Sequence, residues 1–231
     1  MGARLAILRL YMGHVTGPIG PLPIYAFAVR HPGGVVLVDT GLTTNVDPEL
    51  IAKYKMEART MEAALGDHDL TIADVTHLAV THLDHDHSAN NNLFRHVPAV
   101  VQRPELADAR ASHDAEYRTV WDRDDADFRI LDGDGEIVPG MTALSTPGHT
   151  PGHQSFLVER GDTSDLIVGD AAYTQEIYDN AETYDESHPV WSIQVRTNRA
   201  TWLASIERLR RLDVERIYFS HDDKVGKQAA T

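Results

Sequence analysis

The sequence predicts an α+β fold in which two β-sheets pack face to face and helices cover their outer sides. Apolar stretches of strand length come in runs along the chain, and segments of helical periodicity separate these runs. Turn residues mark the boundaries, most clearly in His31-Pro-Gly-Gly34, where two strand-like stretches meet. Runs of strands with helices between them are typical of packed sheets with helices outside.

The individual elements follow from apolar periodicity and from turn and capping residues. In the first half they are strands at residues 5–11, 24–30, 35–38, 77–80 and 99–102 and helices at residues 47–65 and 71–75, followed by a helix that begins near Pro104. In the second half they are strands at residues 128–131, 141–145, 154–158, 166–169 and 217–220 and a helix at residues 192–212.

Composition limits the functions that we expect. Of 231 residues, 42% are hydrophobic, and no linker or repeat divides them, which predicts one domain over residues 1–231. The formal net charge of −14 argues against nucleic-acid binding, which needs a basic surface to neutralise phosphates. The sequence has no signal-peptide pattern and no apolar run long enough to span a membrane, so we expect a cytoplasmic protein without a membrane partner.

The stretch from His82 to His87 carries the strongest chemical signal. Every residue in it except Leu83 is ionisable, and it follows directly on the predicted strand at residues 77–80. Placing so many imidazoles and carboxylates beside a core is costly unless a cation offsets them. Zinc, iron and manganese accept both ligand types, and the absence of cysteine excludes a thiolate site. The stretch therefore predicts a metal site.

Three other predicted strands lead into possible ligands. The strand at residues 141–145 leads into His149, the strand at residues 166–169 into Asp170, and the strand at residues 217–220 into His221. Strand ends can meet at one edge of a layered fold, so residues that are distant in sequence can converge there. We therefore expect these three side chains to join the cluster at residues 82–87.

Together these pieces resemble the metallo-β-lactamase superfamily, and most of all its N-acyl-homoserine lactonase branch. The matching motifs are Val38-Asp39-Thr-Gly41, the cluster at residues 82–87, Thr146-Pro-Gly-His-Thr-Pro-Gly-His-Gln-Ser155, Asp170-Ala-Ala-Tyr173 and Phe219-Ser-His221. They occur in the family's order and span nearly the whole chain. The resemblance implies a four-layer αβ/βα sandwich that holds two divalent metal ions and acts on a small-molecule substrate.

One residue departs from the family's usual motif, His-x-His-x-Asp-His, whose third position is Asp84 here. The resemblance implies two sets of metal ligands with one bridging carboxylate, namely His82, Asp84 and His149 for one metal, Asp86, His87 and His221 for the other, and Asp170 between them. A carboxylate at position 84 adds a negative charge and a hard oxygen ligand, which favours iron or manganese over zinc. The alternative is that His85 swings in and restores a nitrogen ligand.

Hydrolysis is the chemistry that such a site predicts. Two cations would lower the pKa of a bridging water and provide hydroxide to attack the carbonyl of a lactone or a related carboxylic ester. By resemblance, Tyr173 would donate a hydrogen bond to the carbonyl or the developing oxyanion, and Asp86 would help with the leaving-group proton. Asp39 and His153 are expected to orient the ligands. Residues 18–25 and 43–69 are predicted to form a substrate wall and a cover.

Two alternatives to a hydrolase stay open at the level of sequence. Some members of the superfamily carry a carboxylate at the position of Asp84 and bind iron for redox chemistry, so a diiron redox protein is one alternative. The other is a catalytically weak, ligand-binding member of the fold, because Asp84 could have weakened the metal site.

Overall fold

The computed structural model describes residues 5–17, 19–43, 49, 51–52 and 55–227. Its strands are β1 (Ala6–Gly17), β2 (Gly20–His31), β3 (Gly34–Val38), β4 (Glu57–Ala58), β5 (Val75–Ala79), β6 (Ala99–Gln102), β7 (Phe128–Leu131), β8 (Gly135–Val138), β9 (Met141–Ser145), β10 (Gln154–Glu159), β11 (Ser164–Gly169) and β12 (Arg216–Phe219). Its α-helices are α1 (Met61–Gly66), α2 (His85–Ser88), α3 (Arg103–Ser112), α4 (Ala115–Trp121), α5 (Gln175–Asp179), α6 (Trp191–Gln194) and α7 (Arg199–Arg210). Short 3₁₀ helices occur at Ile72–Asp74, Asn91–Phe94, Asp125–Asp127 and Ala181–Thr183.

The strands form two sheets. The first has the order β4-β1-β2-β3-β5-β6-β7 and the second the order β12-β11-β10-β9-β8. In the first sheet β1, β2 and β3 pair antiparallel, whereas β3, β5, β6 and β7 run parallel to one another. In the second sheet β8 to β11 pair antiparallel and β12 joins β11 in parallel. Consequently the C-terminal ends of β9, β11 and β12 all lie at the same end of the second sheet.

Alternating burial explains the layers. Phe27 of β2 and Phe156 of β10 belong to a buried cluster formed by the two inner sheet faces. The neighbouring Ala26 belongs instead to a cluster with residues of α1, α3 and α4, and Leu166 of β11 to one with residues of α7. Successive side chains of a strand point to opposite faces of the sheet. Each sheet therefore buries one face against the other sheet and the opposite face against helices. The result is the predicted order of helix, sheet, sheet and helix, which confirms the fold class.

Every predicted strand overlaps a strand of the structure, and the strands at Ala99–Gln102, Phe128–Leu131 and Met141–Ser145 have the predicted bounds. The short helix predicted at residues 71–75 is a 3₁₀ turn, Ile72–Asp74. Thr71 is the residue that caps its N-terminus. Sequence analysis missed β4, β8, α2, α4 and α5. The assignment of residues 1–231 to one domain stays a prediction.

The helix predicted at residues 47–65 is wrong over Glu57–Ala58, which forms the edge strand β4. This strand pairs with β1 at Gly13, beside a register irregularity, and Gly13 has a φ of 126°. A Cβ atom at Gly13 would lie 1.9 Å from the carbonyl oxygen of Glu57, so glycine at this position allows β4 to pair with β1. Residues 44–48, 50 and 53–54 of the predicted helix and cover lie outside the described residues.

The helix predicted at residues 192–212 overlaps α6 and α7 but is wrong over residues 195–198, where the chain breaks it. The backbone N–H groups of Arg196 and Thr197 donate to the carbonyl oxygen of Gly148, at 3.2 Å each, instead of bonding within a helix. Asn198 then starts α7, because its side chain accepts a hydrogen bond from the N–H of Thr201 at 2.9 Å. The break therefore ties this segment to the loop that carries His149.

Candidate metal centre

Strand ends bring the predicted ligands together. The chain leaves β5 of the first sheet and reaches His82 three residues later. His149 follows β9, Asp170 follows β11 and His221 follows β12, and these three strands end on the same side of the second sheet. All four side chains are buried, with at most 3% of their surface exposed. The topology thus produces a cluster of ligands from four separate strands.

Two groups of possible ligand atoms result. His82, His149 and Asp170 form the first, and all their ligand atoms lie within 4.8 Å of one another. The same distance limit holds for the second group, which consists of Asp86, His87 and His221. These groups correspond to the two predicted ligand sets, with two differences. Asp84 lies beside the first group and is not part of it, whereas Asp170, which was predicted to lie between the two sets, belongs to the first group.

Asp170 lies between the two groups. One carboxylate oxygen, Oδ2, is 3.6 Å from Nε2 of His149 and 3.4 Å from Nε2 of His87. The other oxygen, Oδ1, is 3.3 Å from Nε2 of His221. This carboxylate therefore faces nitrogen ligands of both groups, which is the arrangement expected of a shared ligand.

Two of the histidines are held from behind by backbone carbonyls. Nδ1 of His149 lies 3.3 Å from the carbonyl oxygen of Gln194, and Nδ1 of His221 lies 2.9 Å from that of Pro23. A carbonyl oxygen only accepts, so each Nδ1 donates and the neutral ring keeps a lone pair on Nε2. Pro23 lies in the predicted substrate wall, residue 18 of which is outside the described residues; the wall stays a prediction.

The other two histidines are held by Asp39 and Thr81. Nδ1 of His87 donates to Oδ2 of Asp39 at 2.9 Å. The hydroxyl of Thr81 donates to the same oxygen at 2.8 Å, so it accepts from Nδ1 of His82, which lies 2.9 Å away. All four imidazoles thus present Nε2 to the centre, and Asp39 occupies the orienting position predicted for it.

His153 positions Asp170 through the backbone. Its Nε2 accepts a hydrogen bond from the N–H of Asp170 at 2.9 Å, and burial lowers the pKa of His153 to about 3, which keeps the ring neutral. The preceding Gly169 has a φ of 62°, and a Cβ atom there would lie 2.8 Å from Nε2 of His153. Glycine therefore allows β11 to end close enough to His153 for this contact.

Asp84 divides its two oxygens between different partners. Oδ2 lies 3.3 Å from Nε2 of His149 and 3.5 Å from Nε2 of His82, so it faces the first group. Oδ1 accepts a hydrogen bond from Nη2 of Arg196 at 2.9 Å. His85 does not share this orientation, because its ring stacks on Tyr117 with the centroids 3.4 Å apart. The alternative in which His85 serves as ligand therefore finds no support in this geometry.

The two residues predicted to act in catalysis adjoin the cluster. Oδ2 of Asp86 is 3.5 Å from Nε2 of His221. The ring of Tyr173 lies beside two histidines, with centroid distances of 4.8 Å to His221 and 5.7 Å to His149. Its hydroxyl donates to the carbonyl oxygen of Ile193 at 3.0 Å.

Charge in the centre favours a cation. Burial alone would raise the pKa of Asp170, but the neighbouring His87 holds it well below its usual range. Burial would lower the pKa of His87, yet Asp170 and the nearby carboxylates raise it well above its usual range. Burial and His87 together lower the pKa of His82. Asp170 is thus ionised at neutral pH, and its negative charge stabilises positive charge in the centre.

The donor set fits metal ions. Within the described part of the chain, the Nε2 atoms of His82 and His87 are buried and make no hydrogen bond. A buried polar atom without a partner costs free energy, so such atoms usually have a function. Nitrogen and carboxylate donors that converge from both groups would satisfy two divalent cations, and a cation would in turn satisfy the two imidazoles.

Sequence analysis missed two residues that hold the ligand loops. Glu105, at the start of α3, is buried and accepts hydrogen bonds from the N–H of Leu83, at 2.8 Å, and from the hydroxyl of Thr150. Gln194 donates to the carbonyl oxygen of Asp170 at 2.7 Å through its side chain. Pro104 marked the helix start beside Glu105, but no local pattern distinguishes this buried acid from an exposed one.

Comparison with known proteins identifies the family. The sequence profile of the Metallo-beta-lactamase superfamily matches residues 19–221, which include every predicted ligand. The chain belongs to this superfamily. An N-acyl homoserine lactonase of Bacillus thuringiensis is 30% identical over 222 residues, which cover 89% of this chain and 84% of that protein. The N-acyl homoserine lactonase AttM of Agrobacterium fabrum is 28% identical over 187 residues, which cover 72% of this chain and 71% of AttM.

A solved structure of the superfamily agrees with the fold. An N-acyl homoserine lactone hydrolase with the product N-hexanoyl-L-homoserine bound at its catalytic metal centre superposes with a TM-score of 0.75, at 25% identity, over 96% of this chain and 95% of that one. Together the comparisons support a metal-dependent hydrolase and favour neither the diiron redox protein nor the ligand-binding protein. Among the described residues, no helix is long and apolar enough to cross a membrane.

Proposed function

We propose that this protein is a binuclear metal-dependent hydrolase that opens the ring of N-acyl homoserine lactones. The observation that carries the proposal is the convergence of four Nε2 atoms on the carboxylate of Asp170. Each of these imidazoles has its Nδ1 atom held from behind, so the ligands are oriented before any metal binds. The substrate class rests on the similarity to N-acyl homoserine lactonases along most of the chain.

The two cations would be held by the groups described above. His82, Asp84 and His149 would hold one, Asp86, His87 and His221 the other, and Asp170 would contact both. Two divalent cations in such a site lower the pKa of a bound water to near neutrality and polarise a carbonyl oxygen. Zinc, iron and manganese all accept this donor set, and the carboxylate of Asp84 favours iron or manganese more than a third imidazole would.

Tyr173 and Asp86 would act on the substrate itself. Tyr173 donates its hydroxyl hydrogen to Ile193 at 3.0 Å, and this hydrogen rotates about the C–O bond. Redirected, the hydroxyl would donate to the lactone carbonyl, where negative charge develops during ring opening. The carboxylate of Asp86, partly exposed beside His221, would accept the proton that the attacking water releases and pass it to the departing alkoxide.

The test is hydrolysis of N-hexanoyl-L-homoserine lactone by protein stripped of metal and reloaded with zinc, iron or manganese in separate samples. We expect N-hexanoyl-homoserine as the product, with about two metals per chain in the active samples. N-hexanoyl-glycine, which has the same amide but no lactone, is the control and should stay intact. Release of hexanoate would mean amide cleavage and would contradict the proposal. Metal-loaded protein that left every lactone unchanged would contradict it too.

A further inference from the structure

Arg196 joins two predicted ligands of the first metal. It lies in the break between α6 and α7, and its Nη2 donates to Oδ1 of Asp84 at 2.9 Å. Its Nε donates to the carbonyl oxygen of His149 at 3.3 Å. Its own backbone N–H is anchored to Gly148 and His149 at 3.2 Å each. One guanidinium therefore links the loop of Asp84 to the loop of His149.

This contact leaves Asp84 with one oxygen for a metal. Oδ1 is taken by Arg196, whereas Oδ2 lies 3.3 Å from Nε2 of His149 and faces the first group. His113 is also near Oδ1, but its Nε2 is 3.8 Å away, beyond hydrogen-bond distance. The planar guanidinium has a fixed geometry, so it restricts the carboxylate to one orientation.

The contact also balances charge. The centre contains three carboxylates, those of Asp84, Asp86 and Asp170, and the side chain of Asp84 is only 22% exposed. A guanidinium stays protonated at any physiological pH, so Arg196 cancels one of these three charges permanently. The side chain of Arg196 is 40% exposed, so water screens part of this interaction.

We infer that Arg196 is a positioning residue and counter-charge that makes Asp84 behave toward the first metal as a neutral, single-oxygen ligand. The inference rests on the proposed function, because it assumes that the first group holds a metal. Its consequence is that residues 84 and 196 act as a pair. A neutral ligand at position 84 leaves the charge of Arg196 unopposed beside the metal, and a neutral residue at position 196 leaves the charge of Asp84 uncompensated.

The experiment is a double-mutant cycle on zinc affinity, measured with chelator-stripped protein against a chromogenic chelator. The variants are Asp84→His, Arg196→Met and the double variant. We expect Asp84→His alone to weaken the weaker zinc site by about tenfold or more, because the unpaired guanidinium repels the cation. We expect Arg196→Met alone to tighten zinc binding by about tenfold, because the charge of Asp84 is then uncompensated, and the double variant to return within about threefold of wild type.

Two further variants separate charge from folding. Arg196→Lys keeps the charge and should bind zinc within about threefold of wild type. If Arg196 served only to hold the loops together, Arg196→Lys and Arg196→Met would instead weaken zinc binding equally. Arg211→Met removes a guanidinium that is 78% exposed at the end of α7 and should leave zinc affinity unchanged. Unfolding curves for each variant verify that the compared proteins are folded.

The outcomes distinguish the two proposals. Effects of the same sign in Asp84→His and Arg196→Met, or equal loss in Arg196→Lys and Arg196→Met, would overturn the counter-charge while wild type still binds two metals and opens lactones. Wild-type protein that bound no zinc, iron or manganese would overturn the proposed function, and the counter-charge with it. Opposite effects of the two single substitutions that cancel in the double variant support Arg196 as the counter-charge of Asp84.

Discussion

The two halves of the candidate centre are built from similar ligands but have opposite surroundings. In the second half, His87 is backed by the buried carboxylate of Asp39 at 2.9 Å. In the first half, His82 is backed by the hydroxyl of Thr81, and the carboxylate of Asp84 is paired with a guanidinium. A carboxylate thus lies directly behind a ligand of the second half, whereas a guanidinium offsets the carboxylate of Asp84 in the first half.

This difference predicts unequal metal affinity. A carboxylate behind an imidazole raises the basicity of the ligand nitrogen, and such partners strengthen metal binding. Asp39 is one of the carboxylates that raise the pKa of His87 against the effect of burial. We therefore expect the second half to bind its cation first and to release it last.

The largest effect is expected from Asp170→Ala, which removes the ligand that both halves share. We expect the variant to lose both metals and at least about a thousandfold in kcat/KM, because neither group keeps its central carboxylate. Metal content by mass spectrometry and lactone hydrolysis measure the two losses. A variant that kept one metal at wild-type affinity would show that the halves are independent.

A second prediction tests the asymmetry itself. Asp39→Asn removes the charge behind His87 and keeps the shape of the side chain, so it should weaken the tighter metal site by about 10- to 100-fold. The weaker site should change much less. Chelator competition, which resolves the two dissociation constants, provides the measurement. Equal weakening of both sites would mean that Asp39 does not distinguish the halves.

A third prediction concerns Tyr173, whose ring lies between His149 of one half and His221 of the other. Tyr173→Phe should lower kcat by about tenfold to a hundredfold, because a donor to the developing oxyanion is lost. Metal content should stay at the wild-type value, since the hydroxyl contacts Ile193 and no predicted ligand. Loss of metal in this variant would instead assign Tyr173 a structural role.

The smallest effect on the chemistry is expected at Glu105, which supports the first half through Leu83 and Thr150. Burial raises its pKa from 4.5 to about 7. The folded state therefore binds this proton more tightly than the unfolded state, so the free energy of unfolding should fall as pH rises from about 4.5 to about 7, by about 3 kcal/mol in total.

Glu105→Gln removes this titration and keeps an acceptor for the N–H of Leu83. The difference in unfolding free energy between wild type and variant, from urea unfolding at fixed metal concentration, should narrow or reverse across that pH interval. A difference that is constant with pH would show that Glu105 stays ionised in the folded protein.

Much of the centre could be predicted because its signals are local. His82, His149, Asp170 and His221 each follow a strand of strong apolar character, so residue type and strand end together identified them. Asp84 was recognisable as a departure through the resemblance to the family's motif. Arg196, by contrast, lies within a stretch that has helical periodicity, and nothing in the sequence nearby indicates that the helix breaks there.

By itself, the sequence determined the layered fold and the types of ligand, because apolar periodicity and strand-end residues are properties of neighbouring positions. Only the tertiary structure decided how those ligands are held. The break between α6 and α7 exists because Arg196 and Thr197 bond to Gly148 across the fold. Similarly, Glu105 is an ordinary helix-start acid until folding buries it against the loops of His82 and His149. Such contacts join distant segments, so their free energy outweighs local preference only after the sheets have packed.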